Sequence, residues 1–227
     1  MTVAVVLAGG VGSRMGGDKP KQFMLLDGRC VIEYSIDAFD RCKGIDEVVV
    51  VVHPLWIDFM NGIVARNDWS KVGSIVVGGS ERYLSSVNAL RTCQGFPDDT
   101  NVIFHDAARP WISDSLIQTV LDALADHSAV GVAVPSTDTV WEVVDGISDK
   151  SSGIVSDIPD RRRMWRAQTP QAFRLSVIRE AYRMALADPL FASTDDCGVV
   201  KKYAPDVDIH VVLGDEKNKK ITFVGDI

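Results

Sequence analysis

Two cations and a run of glycines near the start of the chain have the spacing of a polyphosphate cradle. Ala8-Gly9-Gly10-Val11-Gly12-Ser13-Arg14-Met15-Gly16-Gly17 leads into Asp18-Lys19-Pro20-Lys21-Gln22-Phe23. Glycines let a backbone approach a polyanion closely and turn its N–H groups toward it. Arg14 and Lys21 add the positive charge that amides lack, so a nucleoside triphosphate suits the loop. Two commoner loops fail on particular residues. The dinucleotide fingerprint G-x-G-x-x-G finds Gly10 and Gly12 but meets Met15 at its third glycine, and no G-x-x-x-x-G-K-[ST] string occurs. The alternative is a βα turn with incidental charges. The grouping of Arg14, Pro20 and Lys21 in one long loop favours a dedicated clamp.

The elements around this loop must place it at the carboxyl end of a strand. Short Val/Ile runs, Val3–Leu7, Glu47–Val52, Ser74–Val77, Val102–His105 and Val130–Pro135, read as strands buried on both faces. Helical periodicity falls between them, over Val31–Arg41, over Glu81–Cys93, and after the N-cap candidate Ser113. The fold class expected is α/β: a Rossmann-like, mostly parallel sheet flanked by helices. Ligands of such sheets bind beyond the carboxyl ends of the strands. The glycine-rich loop leaves one such end and His105-Asp106-Ala107-Ala108-Arg109-Pro110 leaves another, so both should face one crevice. After Pro135 the pattern changes. Thr137–Val144 and Gly153–Ile158 flank an Asp145-Gly146 turn signal and predict a protruding β-hairpin. Helices over Ser176–Ala187 and Asp195–Tyr203 and a strand over Asp208–Leu213 follow.

Composition narrows the classes. At 227 residues, 46% hydrophobic and 24% charged, the chain has the balance of a soluble globular protein. A net charge of −7 argues against a sequence-independent nucleic-acid binder. No apolar run has the length of a membrane span, and Val3–Leu7 reads as a core strand and not as a signal peptide. Cys30, Cys42, Cys93 and Cys197 form no C-x-x-C pair, which fits free thiols in a reducing cytoplasm. His53, His105, His127 and His210 lack the spacing of a zinc site.

The string L-A-G-G-x-G-S-R-M-G-x-x-x-P-K-Q-F resembles the cytidylyltransferases that couple CTP to a small polyol phosphate. Gly78-Gly79-Ser80-Glu81-Arg82, His105-Asp106-Ala107-Ala108-Arg109-Pro110, Trp165-Arg166-Ala167-Gln168-Thr169-Pro170-Gln171 and Thr194-Asp195-Asp196 extend the resemblance in order across nearly the whole chain. It implies one cytidylyltransferase domain over 1–227, with 136–164 as a dimerisation arm. The stretch after Ile221 shows no closing helix, which leaves a further helix or domain as an expectation. The reaction implied is in-line attack by a phosphate oxygen of the acceptor on the α-phosphorus of CTP. Two anions must be brought together, so catalysis would rest on positioning and charge stabilisation.

Residue by residue, the resemblance makes Arg14, Lys21 and Lys220 the catalytic cations. Ala8, Gly9, Gly10, Gly79, Ser85 and Asp106 would bind CTP, with Asp106 also holding Mg²⁺ or another divalent cation. Thr139, Arg161 and Thr169 would bind the polyol phosphate, Thr139 and Arg161 serving the neighbouring subunit of a homodimer. Neither nucleic acid nor membrane is an implied partner.

Two branches compete for the acceptor. Leu7, Asp157-Ile158-Pro159-Asp160-Arg161 and Asp195-Asp196-Cys197-Gly198 lean toward D-ribitol 5-phosphate. Trp165-Arg166-Ala167-Gln168 and Ala107-Ala108 lean toward 2-C-methyl-D-erythritol 4-phosphate. The sequence favours the ribitol branch, with methylerythritol phosphate as the alternative. A sugar-1-phosphate nucleotidyltransferase shares the glycine-rich start but not the downstream strings. A non-catalytic nucleotide-binding module is the reading from another class.

Overall fold

The computed structural model describes residues 1–10, 19–144 and 153–226. Among these, β1 (Thr2–Ala8), β4 (Glu47–Val52), β5 (Val72–Val77), β6 (Asn101–Asp106), β7 (Ala129–Pro135), β10 (Trp165–Arg174) and β11 (His210–Leu213) form a seven-stranded sheet. Its order is β11-β7-β10-β6-β1-β4-β5. The short pairs β2 (Leu25–Leu26) with β3 (Arg29–Cys30), and β8 (Glu142–Val143) with β9 (Val155–Asp157), stand apart. The helices are α1 (Val31–Arg41), α2 (Ile57–Ala65), α3 (Arg82–Thr92), α4 (Asp114–Asp126), α5 (Leu175–Ala185) and α6 (Asp196–Tyr203).

The continuous valine runs are explained by a core on each face of the sheet. Ala4, Val6, Val48, Val50 and Val52 pack with Ile32, Ile36, Met60, Ile63, Ile117 and Val120 of α1, α2 and α4. Val3, Val5, Val49 and Val51 point the other way, onto Val87, Leu90, Ile178, Ala181 and Val199 of α3, α5 and α6. Burial of each such valine contributes about 1.5–2 kcal/mol, so both alternating sets are needed.

The parallel expectation holds for β1 with β4 and β6, for β4 with β5, and for β7 with β11. β10 departs from it, running antiparallel to both β6 and β7. β7 and β10 are in effect the legs of one hairpin, with Trp165 opposite Pro135 and the Ser136 amide donating to the Met164 carbonyl at 2.8 Å. Residues 136–164 are its excursion. Within them Glu142–Val143 pairs with Val155–Asp157, a shorter ladder than the sequence suggests, and the Asp145-Gly146 turn lies outside the described residues.

Glu33 locks α1 to its surroundings. It is buried, and its carboxylate accepts from the Cys30 amide (2.7 Å), Arg66 Nη2 (2.7 Å) and Asn67 Nδ2 (3.0 Å). Burial alone would raise its pKa, yet these donors and the Arg66 charge leave it below the ordinary glutamate value. Stability from Glu33 is therefore present above the unfolded pKa of about 4.3 and is lost as pH falls through the lower folded value. Glu33→Ala is expected to cost about 2 kcal/mol near neutral pH and to flatten this part of the acid dependence. Urea unfolding at pH 7 and pH 4 checks both.

Candidate active site

The carboxyl ends of β1, β5 and β6 open onto a cavity of about 780 Å³. Ala8, Gly9 and Gly10 form one wall. Gln22, 3% exposed, holds the start of the loop by donating both amide protons, to the Ala8 carbonyl (2.7 Å) and the Gly10 carbonyl (2.8 Å). Across the cavity, Gly9 lies against Gly78 and Ser85. A Cβ on Gly9 would come within 2.8 Å of Ser85 Oγ, so this close approach requires glycine. Ser85 is buried, and its hydroxyl accepts from the Gly79 amide at 3.1 Å, which fixes the β5–α3 turn. Gly79 itself has no room for a Cβ beside Leu84. Here the sequence places small residues because three backbones converge.

Asp106 is the electrostatic centre. Its Oδ2 accepts from Lys220 Nζ at 2.7 Å and its Oδ1 from Arg82 Nε at 3.3 Å. Burial would favour the neutral acid, but Arg82, Lys220 and Arg109 overcome it and hold the carboxyl well below the usual carboxylate range. Behind it, the Asp106 amide donates to Thr169 Oγ1 at 3.0 Å, and Thr169 Oγ1 lies 3.1 Å from His105 Nδ1. His105 Nε2 faces the Arg109 carbonyl at 3.1 Å. A carbonyl needs a donor, so Nε2 carries the proton and Nδ1 accepts from the Thr169 hydroxyl. Complete burial depresses His105 to about 4, which keeps the ring neutral and the chain of bonds intact.

The segment at 218–221 closes the site. The Ile221 amide donates to the Ala108 carbonyl (2.8 Å), Lys21 Nζ to the Ile221 carbonyl (2.8 Å) and Arg109 Nη1 to the Asn218 carbonyl (2.7 Å). Asn218 is buried and donates to the Thr169 carbonyl at 2.8 Å. Lys21 and Lys220, about 200 residues apart in sequence, thus line one cavity.

A smaller cavity of about 190 Å³ adjoins it and shares Arg82, Asp106, Thr194 and Lys220. Thr169 and Arg109 line this second space. Of the residues singled out from sequence, Ala8, Gly9, Gly10, Lys21, Gly79, Ser85, Asp106 and Lys220 line the larger cavity. Thr169 supports Asp106 with its hydroxyl. Arg14 lies outside the described residues. Thr139 and Arg161 are exposed on the arm and line neither cavity; Arg161 Nη1 donates to the Thr137 carbonyl at 3.0 Å. Gln22, Arg82, Arg109 and Asn218 also hold the site together, and the motifs alone give them no role, although the first three stand inside those motifs.

A mostly parallel sheet with a glycine-rich first turn, two lysines and one ionised carboxylate at its strand ends defines a nucleotidyltransferase. Residues 2–227 match the family described as IspD: 2-C-methyl-D-erythritol 4-phosphate cytidylyltransferase. The chain belongs to this family of cytidylyltransferases. The 2-C-methyl-D-erythritol 4-phosphate cytidylyltransferase of Thermobifida fusca is 44% identical over 224 residues, covering 99% of this chain and 89% of the relative. The bifunctional ribulose 5-phosphate reductase/CDP-ribitol pyrophosphorylase Bcs1 of Haemophilus influenzae is 36% identical, covering 97% of this chain and 45% of the relative. The crystal structure of 4-diphosphocytidyl-2C-methyl-D-erythritol synthase from Anaerococcus prevotii superposes with a TM-score of 0.83 at 30% identity, covering all of this chain and 94% of that one. On the acceptor, these identities favour the methylerythritol branch over the ribitol branch that the sequence motifs favoured. No helix among the described residues is long and apolar enough to cross a membrane.

Proposed function

We propose that the chain transfers CMP from CTP to 2-C-methyl-D-erythritol 4-phosphate. The observation that carries the choice of acceptor is the 44% identity, over nearly the whole chain, to an enzyme of that name. A phosphate oxygen of the acceptor attacks the α-phosphorus. A new P–O bond forms, the bond to the β-phosphate oxygen breaks, and pyrophosphate leaves with that electron pair. The attacking phosphate is already an anion, so the protein's work is to hold the anions in line and neutralise growing charge. In this reading the amides of Ala8, Gly9 and Gly10 and the cations Arg14 and Lys21 hold the triphosphate. Gly79 and Ser85 face the base, and Lys220 steers the acceptor phosphate.

The donor set fits a divalent cation held by one carboxylate and by substrate oxygens. Asp106 is ionised, lies on the cavity wall and has lone pairs left on both oxygens. Among the described residues no group of three or more His, Cys, Asp or Glu side chains offers a protein-only site. Asp106 and the nucleotide phosphates would hold Mg²⁺, which would draw negative charge from the triphosphate.

Pyrophosphate release from CTP, measured with methylerythritol 4-phosphate beside ribitol 5-phosphate, tests the proposal. A ratio of kcat/KM favouring ribitol phosphate would reverse the acceptor, a reading that Leu7, the 157–161 string and the Haemophilus relative favour. No pyrophosphate with either acceptor would refute transferase activity.

Residues 136–164 are read as an arm that serves a second subunit of a homodimer in the cytoplasm. Its two-stranded pairing is too small to be stable alone, and Trp141, Val143, Val144, Ile154 and Ile158 are each at least 48% exposed on it. A partner surface would cover them. Arg161→Ala is expected to raise KM for the acceptor about tenfold or more while CTP binding is unchanged. Mixing Arg161→Ala with Lys21→Ala subunits should restore a fraction of the sites. Heterodimers without recovery would count against exchange of arms.

A further inference from the structure

Arg82, the first residue of α3, joins parts of the fold that are distant in sequence. Its Nε lies 3.3 Å from Asp106 Oδ1 at the end of β6, and its Nη1 lies 2.7 Å from Asp196 Oδ2 at the start of α6. Asp196 is fully buried, and its other oxygen accepts a 2.6 Å hydrogen bond from the Tyr182 hydroxyl on α5. The Asp196 amide is held in turn by Gln171 Oε1 of β10, at 2.9 Å. The neighbouring Asp195 caps α6 through the Gly198 amide at 2.8 Å. The Thr194-Asp195-Asp196 string is thereby accounted for: Thr194 lines both cavities, Asp195 starts the helix, and Asp196 grips Arg82.

Such a network is an expensive way to pack two helices against a sheet. Replacing a buried charge network by apolar side chains of similar volume is often neutral or stabilising. Adhesion therefore does not explain it. What an apolar cluster cannot do is orient a carboxylate. Asp106 is gripped by Arg82 on one oxygen and by Lys220 on the other, and that carboxylate stands where the two cavities meet. Arg82 also leaves a buried nitrogen, Nη2, without a protein partner, although the residue borders both cavities.

We propose that Arg82, braced by Asp196 and Tyr182, is a positioning residue for transfer: it fixes the Asp106 carboxylate, and through it Lys220, on the wall between the two cavities. The inference rests on the cytidylyltransferase reading. Arg82 borders both cavities, but the Gly9–Ser85 wall is built without it. Damage to the brace should therefore fall on turnover and acceptor use more than on CTP binding.

The test is steady-state pyrophosphate release by Tyr182→Phe, Asp196→Asn and Arg82→Lys, using whichever acceptor the wild-type chain turns over, with CTP affinity measured by calorimetry. Outer positioning groups typically change activity about 10–100-fold. Asp196→Asn and Arg82→Lys are expected in that range, and Tyr182→Phe near its lower edge, with CTP affinity falling by a smaller factor than kcat. Tyr182→Phe in the Asp196→Asn background should add almost nothing, because both act through one guanidinium. Lys at position 82 keeps the charge but cannot span two carboxylates, so it should not rescue. Tyr182→Phe removes only a hydroxyl and keeps the test usable if Asp196→Asn fails to fold. Variants that merely melt earlier, with wild-type kcat and both KM values unchanged, would overturn the inference. A wild-type chain inactive with both acceptors would overturn it together with the function beneath it.

Discussion

Lys21→Ala is expected to lower kcat by roughly two to three powers of ten, the scale for losing one preorganised charge-stabilising group. Lys21 lines the larger cavity, and its Nζ donates to the Ile221 carbonyl at 2.8 Å, which fixes its position. Its side chain contributes little to the core, whereas Gln22 and Phe23 beside it are buried. Activity should therefore fall with little change in melting temperature. Lys21→Arg separates charge from placement: partial recovery would show that charge dominates. Single-turnover pyrophosphate formation, paired with CTP binding, is the measurement, and a kcat within fivefold of wild type would remove Lys21 from the clamp. Arg14→Ala carries the same expected scale on the sequence argument alone.

Asp106→Asn should act on two properties at once. The amide nearly preserves shape, and the backbone bond to Thr169 survives. The negative charge between Arg82 and Lys220 disappears, however, leaving two cations facing one another across a neutral group. Breaking a buried charge pair on one side costs about 3 kcal/mol, so the variant should unfold at lower denaturant concentration. Turnover should fall at least about 100-fold, and the Mg²⁺ concentration for half-maximal rate should rise, because an amide is a poorer ligand than a carboxylate. A Mg²⁺ titration identical to wild type would show that Asp106 is no metal ligand. Chelation of divalent cations should abolish wild-type turnover and leave the fold's melting temperature nearly unchanged.

The strands that carry the site were legible because they are unbroken apolar runs: Glu47–Val52 appears at the bounds read from sequence, and the loops after β1 and β6 share a crevice as the topology requires. β10 was not recognised as a strand. Trp165–Arg174 mixes arginine, glutamine and proline, and Pro170 argues against a central strand. The register shift between Gln168 and Gln171 explains how it is accommodated: the ladder breaks there, so Pro170 needs no partner, and Thr169 is released to reach Asp106. α2 was missed for another reason. Ile57–Ala65 buries only Met60 and Ile63 and carries Gly62, too short an apolar stripe to show a period. The glycines and lysines of the site were visible as motifs. The Arg82–Asp196–Tyr182 brace was not, since its members lie up to 114 residues apart and are united only by packing.

The docking of residues 218–221 over the Asp106 loop has a consequence for protein synthesis. Asp106 and Lys220 are 114 positions apart. At about 5–20 residues per second, translation needs roughly 6–23 seconds to travel from one to the other. During that interval a nascent chain has no Lys220 on Asp106 and no strap beneath Lys21. A ribosome-held chain should therefore stay without turnover until residues 218–221 have emerged.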